Sequence, residues 1–343
     1  MTMDSSSPSQ TVLITGGTSG LGYACTSALA TARPDWHLLL ASRNQQQGLQ
    51  VVSALKQQTG HQHIAWISLD LASLAAIRTF AGELARQDLP PLKAIVCNAG
   101  LQVVSGTTYT QDGFETTFGV NCLGHFLLVN LLLRSLVAPA RIVFVSSGTH
   151  NPERKRTLMS RLIGTTPPHY RNARTLAYPE HYPDSEEQNE SPQTTGMRRY
   201  STSKLCDVFY AYELDRQLQS QGYSTPEQPI TVNAFDPGMT PGTRLARDAG
   251  AFRDFFWRVV FPRLRFAFPN MQNLNTAGEA LARLLIDPTL EDVSGKYFAG
   301  FNERASSQES YDQRKAAELW ETSAELVGLQ PSETILQMKT VSG

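Results

Sequence analysis

Seven short apolar runs, separated by segments of helical length, constrain this 343-residue chain more than any other feature. They are TVLITG (11–16), HLLLAS (37–42), HIAWISLD (63–70), LKAIVCNAG (92–100), RIVFVSS (141–147), ITVNAFDP (230–237) and GKYFAG (295–300). Most are nearly continuous in apolar residues rather than alternating. A strand reads that way when helices cover both faces of its sheet. Strands separated by helices build right-handed βαβ units, so the expected fold is α/β: a Rossmann-type, doubly wound, parallel seven-stranded sheet flanked by helices. Length alone would allow two domains. The strand pattern instead predicts one domain over 11–330, after a disordered N-terminus (1–10) and before a tail (331–343).

Two segments interrupt the alternation. Residues 151–199 form an insert rich in Pro, Arg and acidic residues, and PEHYPDSEEQNESPQTTG (179–196) is expected to be exposed and partly mobile. Residues 239–270 follow the sixth run in the position of a lid. The helix after them is expected to start with a capping box of Thr276 and Glu279.

Composition narrows the class. A net charge of −1 gives no electrostatic case for nucleic acid. Cys25, Cys97, Cys122 and Cys206 lack metal-ligand spacing and suit buried free thiols in a reducing compartment, with no metal site implied. His125 likewise reads as a packing residue, having no partner at metal spacing. MTMDSSSPSQ has no basic stretch followed by an apolar core, and no run reaches the ~18 apolar residues of a membrane span. The expected location is the cytoplasm.

The first strand runs into TGGTSGLG (15–22) and then a helix. Gly16, Gly20 and Gly22 permit a tight turn and close backbone approach to a phosphate, with Thr18, Ser19 and Leu21 beside them. The helix N-terminus offers free N–H groups to a pyrophosphate. The second strand ends in Ser42 and Arg43, with no acid to hold a ribose 2′-hydroxyl, so NADP(H) is expected over NAD(H). Asp70 and Leu71 end the third strand where an adenine would sit. Asn98, Ala99 and Gly100 end the fourth, beside its ribose. All lie at the carboxyl edge of the sheet, where such folds bind ligands.

Further on, RRYSTSKLCD (198–207) puts Tyr200 and Lys204 on one helical face. Alone, that pair is either a surface contact or a phenol tuned for proton transfer. Its companions decide between them. TGGTSGLG, CNAG (97–100), VNCLG (120–124), VSS (145–147), YSTSK (200–204) and DPG (236–238) occur in the order and context of the short-chain dehydrogenase/reductase family, which the chain resembles over roughly residues 10 to 300. DLASL, TQDGFETTFGVNCLGHFLL and the tail ESYDQRKAAELWETSAELVGL resemble its retinol-dehydrogenase-like and light-dependent protochlorophyllide reductase branch. Cys206 matches those photoreductases. Met239, where they carry a Cys soon after the Pro-Gly pair, and Gly100, where they carry Ala, depart from them.

The resemblance implies roles. Tyr200 becomes the general acid/base and, with Lys204, a cofactor-binding residue; Lys204 lowers its pKa and holds the nicotinamide ribose. Ser147 holds the substrate oxygen, and Asn121 holds a relay water. Pro237, Gly238, Thr240 and Thr243 are implied in cofactor binding. Specificity in the family lies after the sixth strand, where Phe252, Phe255, Phe256, Trp257, Phe261, Phe266 and Phe268 are interleaved with arginines. Met239, Phe255, Phe256 and Trp257 are therefore expected at a bulky hydrophobic substrate. The composition of 250–268 also suits peripheral membrane contact. The implied assembly is a monomer or homodimer. The expected activity interconverts a carbonyl and an alcohol. Light-dependent C=C reduction and a non-catalytic nucleotide sensor are the alternatives.

Overall fold

The computed structural model describes residues 8–153, 166–183, 187–238 and 273–337. The expected lid, with Met239, Thr240, Thr243, Phe255, Phe256 and Trp257, lies outside the described residues, as does part of the insert.

Each apolar run becomes a strand and each intervening segment a helix. The order is β1 (Gln10–Thr15), α1 (Gly20–Ala32), β2 (Trp36–Ser42), α2 (Gln45–Thr59), β3 (Ile64–Ser68), α3 (Leu74–Leu84) and β4 (Leu92–Cys97). The next helix opens as one α-turn (Thr116–Phe118), widens into a π-turn (Gly119–Leu123) and continues as α4 (Gly124–Leu132). Then come β5 (Leu136–Val145), α5 (Ala173–Ala177), α6 (Pro192–Ser220), β6 (Ile230–Asp236), α7 (Leu274–Ile286), β7 (Tyr297–Ala299), β8 (Asn302–Arg304) and α8 (Gln313–Leu326).

The sheet order is β3-β2-β1-β4-β5-β6-β7-β8. β1 pairs with both β2 and β4 in parallel, so the connection reverses direction between β1 and β4 and opens a crevice at their carboxyl ends. The sheet has eight strands rather than the expected seven. β8 pairs antiparallel to β7, and its three residues, NER, are polar and exposed, so no apolar run announces it.

Two apolar cores cover the two faces. One joins Leu13, Ile95 and Phe144 to Phe126, Phe209 and Trp320. The other joins Ile14, Leu40 and Val96 to Leu29 and Leu281. At the second, Gly278 of α7 lies so close to α1 that a Cβ there would come within 2.5 Å of the Ala24 backbone.

Three local expectations are corrected. Thr116–Ser135 is long and apolar enough to pass as a membrane span, against the expectation that no run is. Its apolar stretch is 89% buried, which is how a core helix between sheet and neighbours arises. α6 starts at Pro192, inside the expected excursion, because Ser191 caps it and Pro192 suits the first helical position. α7 starts at Leu274 with Asn273 as its cap, so Thr276 sits within the first turn rather than at the cap.

Candidate active site

The glycine turn shows why its residue types are needed. Gly16 (φ 65°) and Gly20 (φ 55°) occupy the left-handed region that side chains disfavour. A Cβ on Gly22 would lie 2.5 Å from the Gly16 carbonyl oxygen and 2.6 Å from Asn98 Nδ2. Ser19 sits at the N-cap of α1 without capping it, and the first turn holds no acid. This leaves a hydroxyl and a positive helix end facing the crevice, which fits a dinucleotide pyrophosphate. Leu21 and Thr18 are both buried at the turn.

The adjoining strand ends brace this turn. Asn98 donates through Nδ2 to the Thr15 carbonyl (2.8 Å), and the Asn98 and Ala99 amides donate to Thr15 Oγ1 (2.9 and 3.0 Å). Asn98 thus spends its side chain on the turn. Ser42 accepts from the Trp66 indole (2.9 Å) and keeps its own proton. Arg43 is exposed, with no side-chain partner among the described residues. Asp70 accepts from the Ala72 amide (3.0 Å), and Leu71 is buried.

Across the switch point, β5 and α6 bring Ser147, Tyr200 and Lys204 together. Tyr200 is half-buried, and Ser147 is among the groups that pull its pKa down. Alternation along β5 separates the two serines. Ser146 is buried and donates to the Lys204 carbonyl (2.6 Å), while Ser147 faces Tyr200 and accepts weakly from the Thr149 amide (3.4 Å). Lys204 Nζ lies 5.7 Å from the Tyr200 ring centre. It donates to the Val145 carbonyl (2.9 Å) and to Asp207 (2.8 Å), leaving one of its three N–H bonds for a ribose hydroxyl or water.

Electrostatics here depart from expectation. Burial pushes the Tyr200 phenol above its usual value, more than Lys204 pulls it down, and Asp207 and Asp236 add to the rise. Burial alone would lower the Lys204 ammonium, but Asp207 and Tyr200 hold it above the lysine range. Asp207 is pushed by burial up to about 6, against the pull of Lys204. The net direction at Tyr200, in the protein alone, is therefore opposite to the depression that a Tyr–Lys pair implies.

Asn121 sits in the π-turn as a brace. Its Nδ2 donates to the Leu101 carbonyl and to Ser203 Oγ (both 3.0 Å), and its Oδ1 accepts from the Leu101 amide (2.9 Å). Its own carbonyl meets His125 Nδ1 (3.0 Å), whose Nε2 meets Thr15 Oγ1 (2.9 Å). A carbonyl only accepts, so the His125 proton sits on Nδ1 and Nε2 accepts from Thr15. Burial holds His125 down to about 4, so it is neutral at ordinary pH. A neutral imidazole thus ties the π-turn to the glycine turn. A Cβ on Gly100 would lie 3.4 Å from Asn121 Oδ1 and 3.6 Å from Lys204 Nζ, so an alanine would fit there.

At the end of β6, Gly238 (φ 72°) turns the chain, and its amide donates to Asp236 (2.8 Å), with Pro237 between them. The four cysteines are free and buried.

Two contributors escape a motif search. His150, buried, holds the Ser147 carbonyl through Nδ1 (2.7 Å) and accepts from the Ser307 amide through Nε2 (3.1 Å). Only the fold brings Ser307 there. Asp207 had a legible signal: residues 200, 204 and 207 share one helical face.

A dinucleotide cradle beside a Tyr–Lys–Ser cluster defines an oxidoreductase site. Comparisons with known proteins agree. Residues 10–157 match the family model described as short chain dehydrogenase. Retinol dehydrogenase 13 of Homo sapiens is 32% identical over 326 residues, covering 94% of this chain and 86% of that protein. Protochlorophyllide reductase B of Oryza sativa subsp. japonica is 32% identical over 336 residues, covering 93% and 77%. The crystal structure of an uncharacterized protein from Mycobacterium Paratuberculosis superposes with a TM-score of 0.61 at 26% identity, covering 94% of each chain. This chain belongs to the short-chain dehydrogenase family, with relatives in its retinol dehydrogenase and protochlorophyllide reductase branch. It is an oxidoreductase that takes a nicotinamide cofactor and acts on a small molecule.

Proposed function

We propose that this protein interconverts a carbonyl and an alcohol on a bulky hydrophobic substrate, using NADP(H). The convergence of Tyr200, Ser147 and Lys204 beside the glycine turn carries this reading. The residues fit the cofactor: Gly22 lets α1 close onto the glycine turn, the Ser19 hydroxyl makes no cap bond and Lys204 keeps one N–H. The bound nicotinamide supplies the hydride. Tyr200 gives its hydroxyl proton to the substrate oxygen in reduction and takes it back in oxidation. Ser147 donates to the same oxygen and orients it. The side chain of Asn121 braces the loop at Leu101 and uses both Nδ2 hydrogens, leaving one Oδ1 lone pair for a relay water.

The preference for the 2′-phosphate rests on Ser42 and Arg43 at the end of β2, where no carboxylate stands. Arg43→Ala should lower kcat/KM for NADPH by ~10-fold or more and leave NADH within about twofold, since a charged hydrogen bond contributes about 1.5–3 kcal/mol. An enzyme that prefers NADH and ignores the substitution refutes it.

Substrate size rests on the aromatic 252–268 sequence and on relatives whose names specify retinol and protochlorophyllide. A carbonyl panel with NADPH tests this: bulky apolar ketones and aldehydes should turn over faster than small polar ones, and the reverse ranking defeats it. The 32% identity to protochlorophyllide reductase B favours a second reading, light-driven C=C reduction. Turnover that is equal in darkness and light rejects it.

A further inference from the structure

Lys204 shares its charge with a carboxylate that the proton-transfer scheme does not use. Asp207 is 2% exposed and its Oδ2 lies 2.8 Å from Lys204 Nζ. Both belong to α6, so the pairing is fixed by the helix rather than by a mobile loop. A buried carboxylate this close to an ammonium cancels much of the field the ammonium exerts on a third group. Here the third group is Tyr200, on the same face.

We propose that Asp207 is a positioning residue that neutralises Lys204 and keeps Tyr200 in its protonated, proton-donating form, so that carbonyl reduction stays fast to higher pH and alcohol oxidation starts later. The overall equilibrium is untouched; what moves is the pH range in which each direction runs. This rests on Tyr200 as the proton-transfer group.

The groups facing the pair leave Asp207 in control. Cys97 from β4, Cys122 from the π-turn and Cys206 from α6 are raised by burial and remain neutral thiols. Tyr210, one turn on, is held neutral in the same way. His125 from α4 is a neutral imidazole above about pH 4. Asp236, at the end of β6, adds a second carboxylate field at Tyr200. With Asp207 ionising at about 6, its effect is present above that pH and fades below it.

Asp207→Asn keeps an acceptor for Lys204 and removes only the charge. Its effect is read first without substrate, by ultraviolet difference titration of the Tyr200 phenolate, taking the difference from Tyr200→Phe in each background. The midpoint should fall by ~1 pH unit or more, the size of one neighbouring charge. The rising limb of alcohol oxidation should move down equally, making oxidation about tenfold faster on that limb. Cofactor KM should stay within about twofold. An unmoved midpoint overturns the proposal. If Asp207→Asn does not fold, Asp207→Ser removes the same charge with a smaller side chain. The unmodified protein gives an independent reading: its Tyr200 midpoint without cofactor should lie above the ordinary tyrosine value of about 10, and a midpoint below it overturns the proposal. Because the titration needs no substrate, it separates this proposal from an error about what the enzyme reduces.

Discussion

Tyr200→Phe should lower kcat by ~10²- to 10⁴-fold, the contribution of a positioned general acid or base, while NADPH affinity stays within about twofold. The substitution deletes one oxygen. The ring still fills its place on α6, and the Tyr200 carbonyl still accepts from Ser203 Oγ (2.8 Å), so the helix keeps its local bonds. Lys204 still donates to Val145 and Asp207, and the glycine turn is untouched. Binding and chemistry therefore separate, and a stopped-flow measurement of NADPH oxidation beside a fluorescence titration of NADPH reads both. If the variant keeps more than a tenth of the parent kcat, Tyr200 does not transfer the proton. If parent and variant both bind NADPH and neither turns over any carbonyl or alcohol offered, the protein is a nucleotide sensor.

The same residues show what a sequence can and cannot disclose. Local requirements are legible. Gly16 and Gly20 must reach positive φ, and Gly22 must let two backbones touch, so three glycines between a strand and a helix betray the turn. Period-two alternation separates Ser146 from Ser147, because one neighbour must face the core and the other the crevice. Relations between distant segments are not legible. β8 carries no apolar signal, since as an exposed edge strand it is specified by pairing to β7 alone. His150 gains its role only when the chain returns Ser307 to it, 157 residues later. Net charge effects lie between these cases. The Tyr–Lys spacing is visible and predicts the sign of the lysine's pull. The outcome also depends on burial and on Asp207, and burial is a property of the finished fold.

Gly22→Ala should be the most damaging single-methyl change at the cofactor site. The added Cβ would lie 2.5 Å from the Gly16 oxygen and 2.9 Å from its carbonyl carbon, distances at which something must move. Neither side can yield easily. The Gly16 amide is held by the Ala41 carbonyl (2.8 Å), and Asn98, 2.6 Å from the new methyl, is held by Thr15 (2.8 Å). Relief must come from α1 lifting off the turn, but α1 is packed against α7 through Gly278, where backbones already touch. Overpacking of this kind costs about 1–3 kcal/mol, and it also misplaces the helix end proposed to face a pyrophosphate. Thermal melts should show a loss of that size, and NADPH affinity should fall by more than the ~10-fold that a 1.4 kcal/mol change represents. Gly82→Ala is the matched control: its Cβ would meet only the end of the Arg86 side chain at 3.3 Å, on α3, where alanine favours the helix by about 0.5–1 kcal/mol. A Gly22→Ala protein that melts and binds NADPH like the Gly82→Ala control would mean that the turn is loose enough to admit a side chain and is not a cradle for a phosphate.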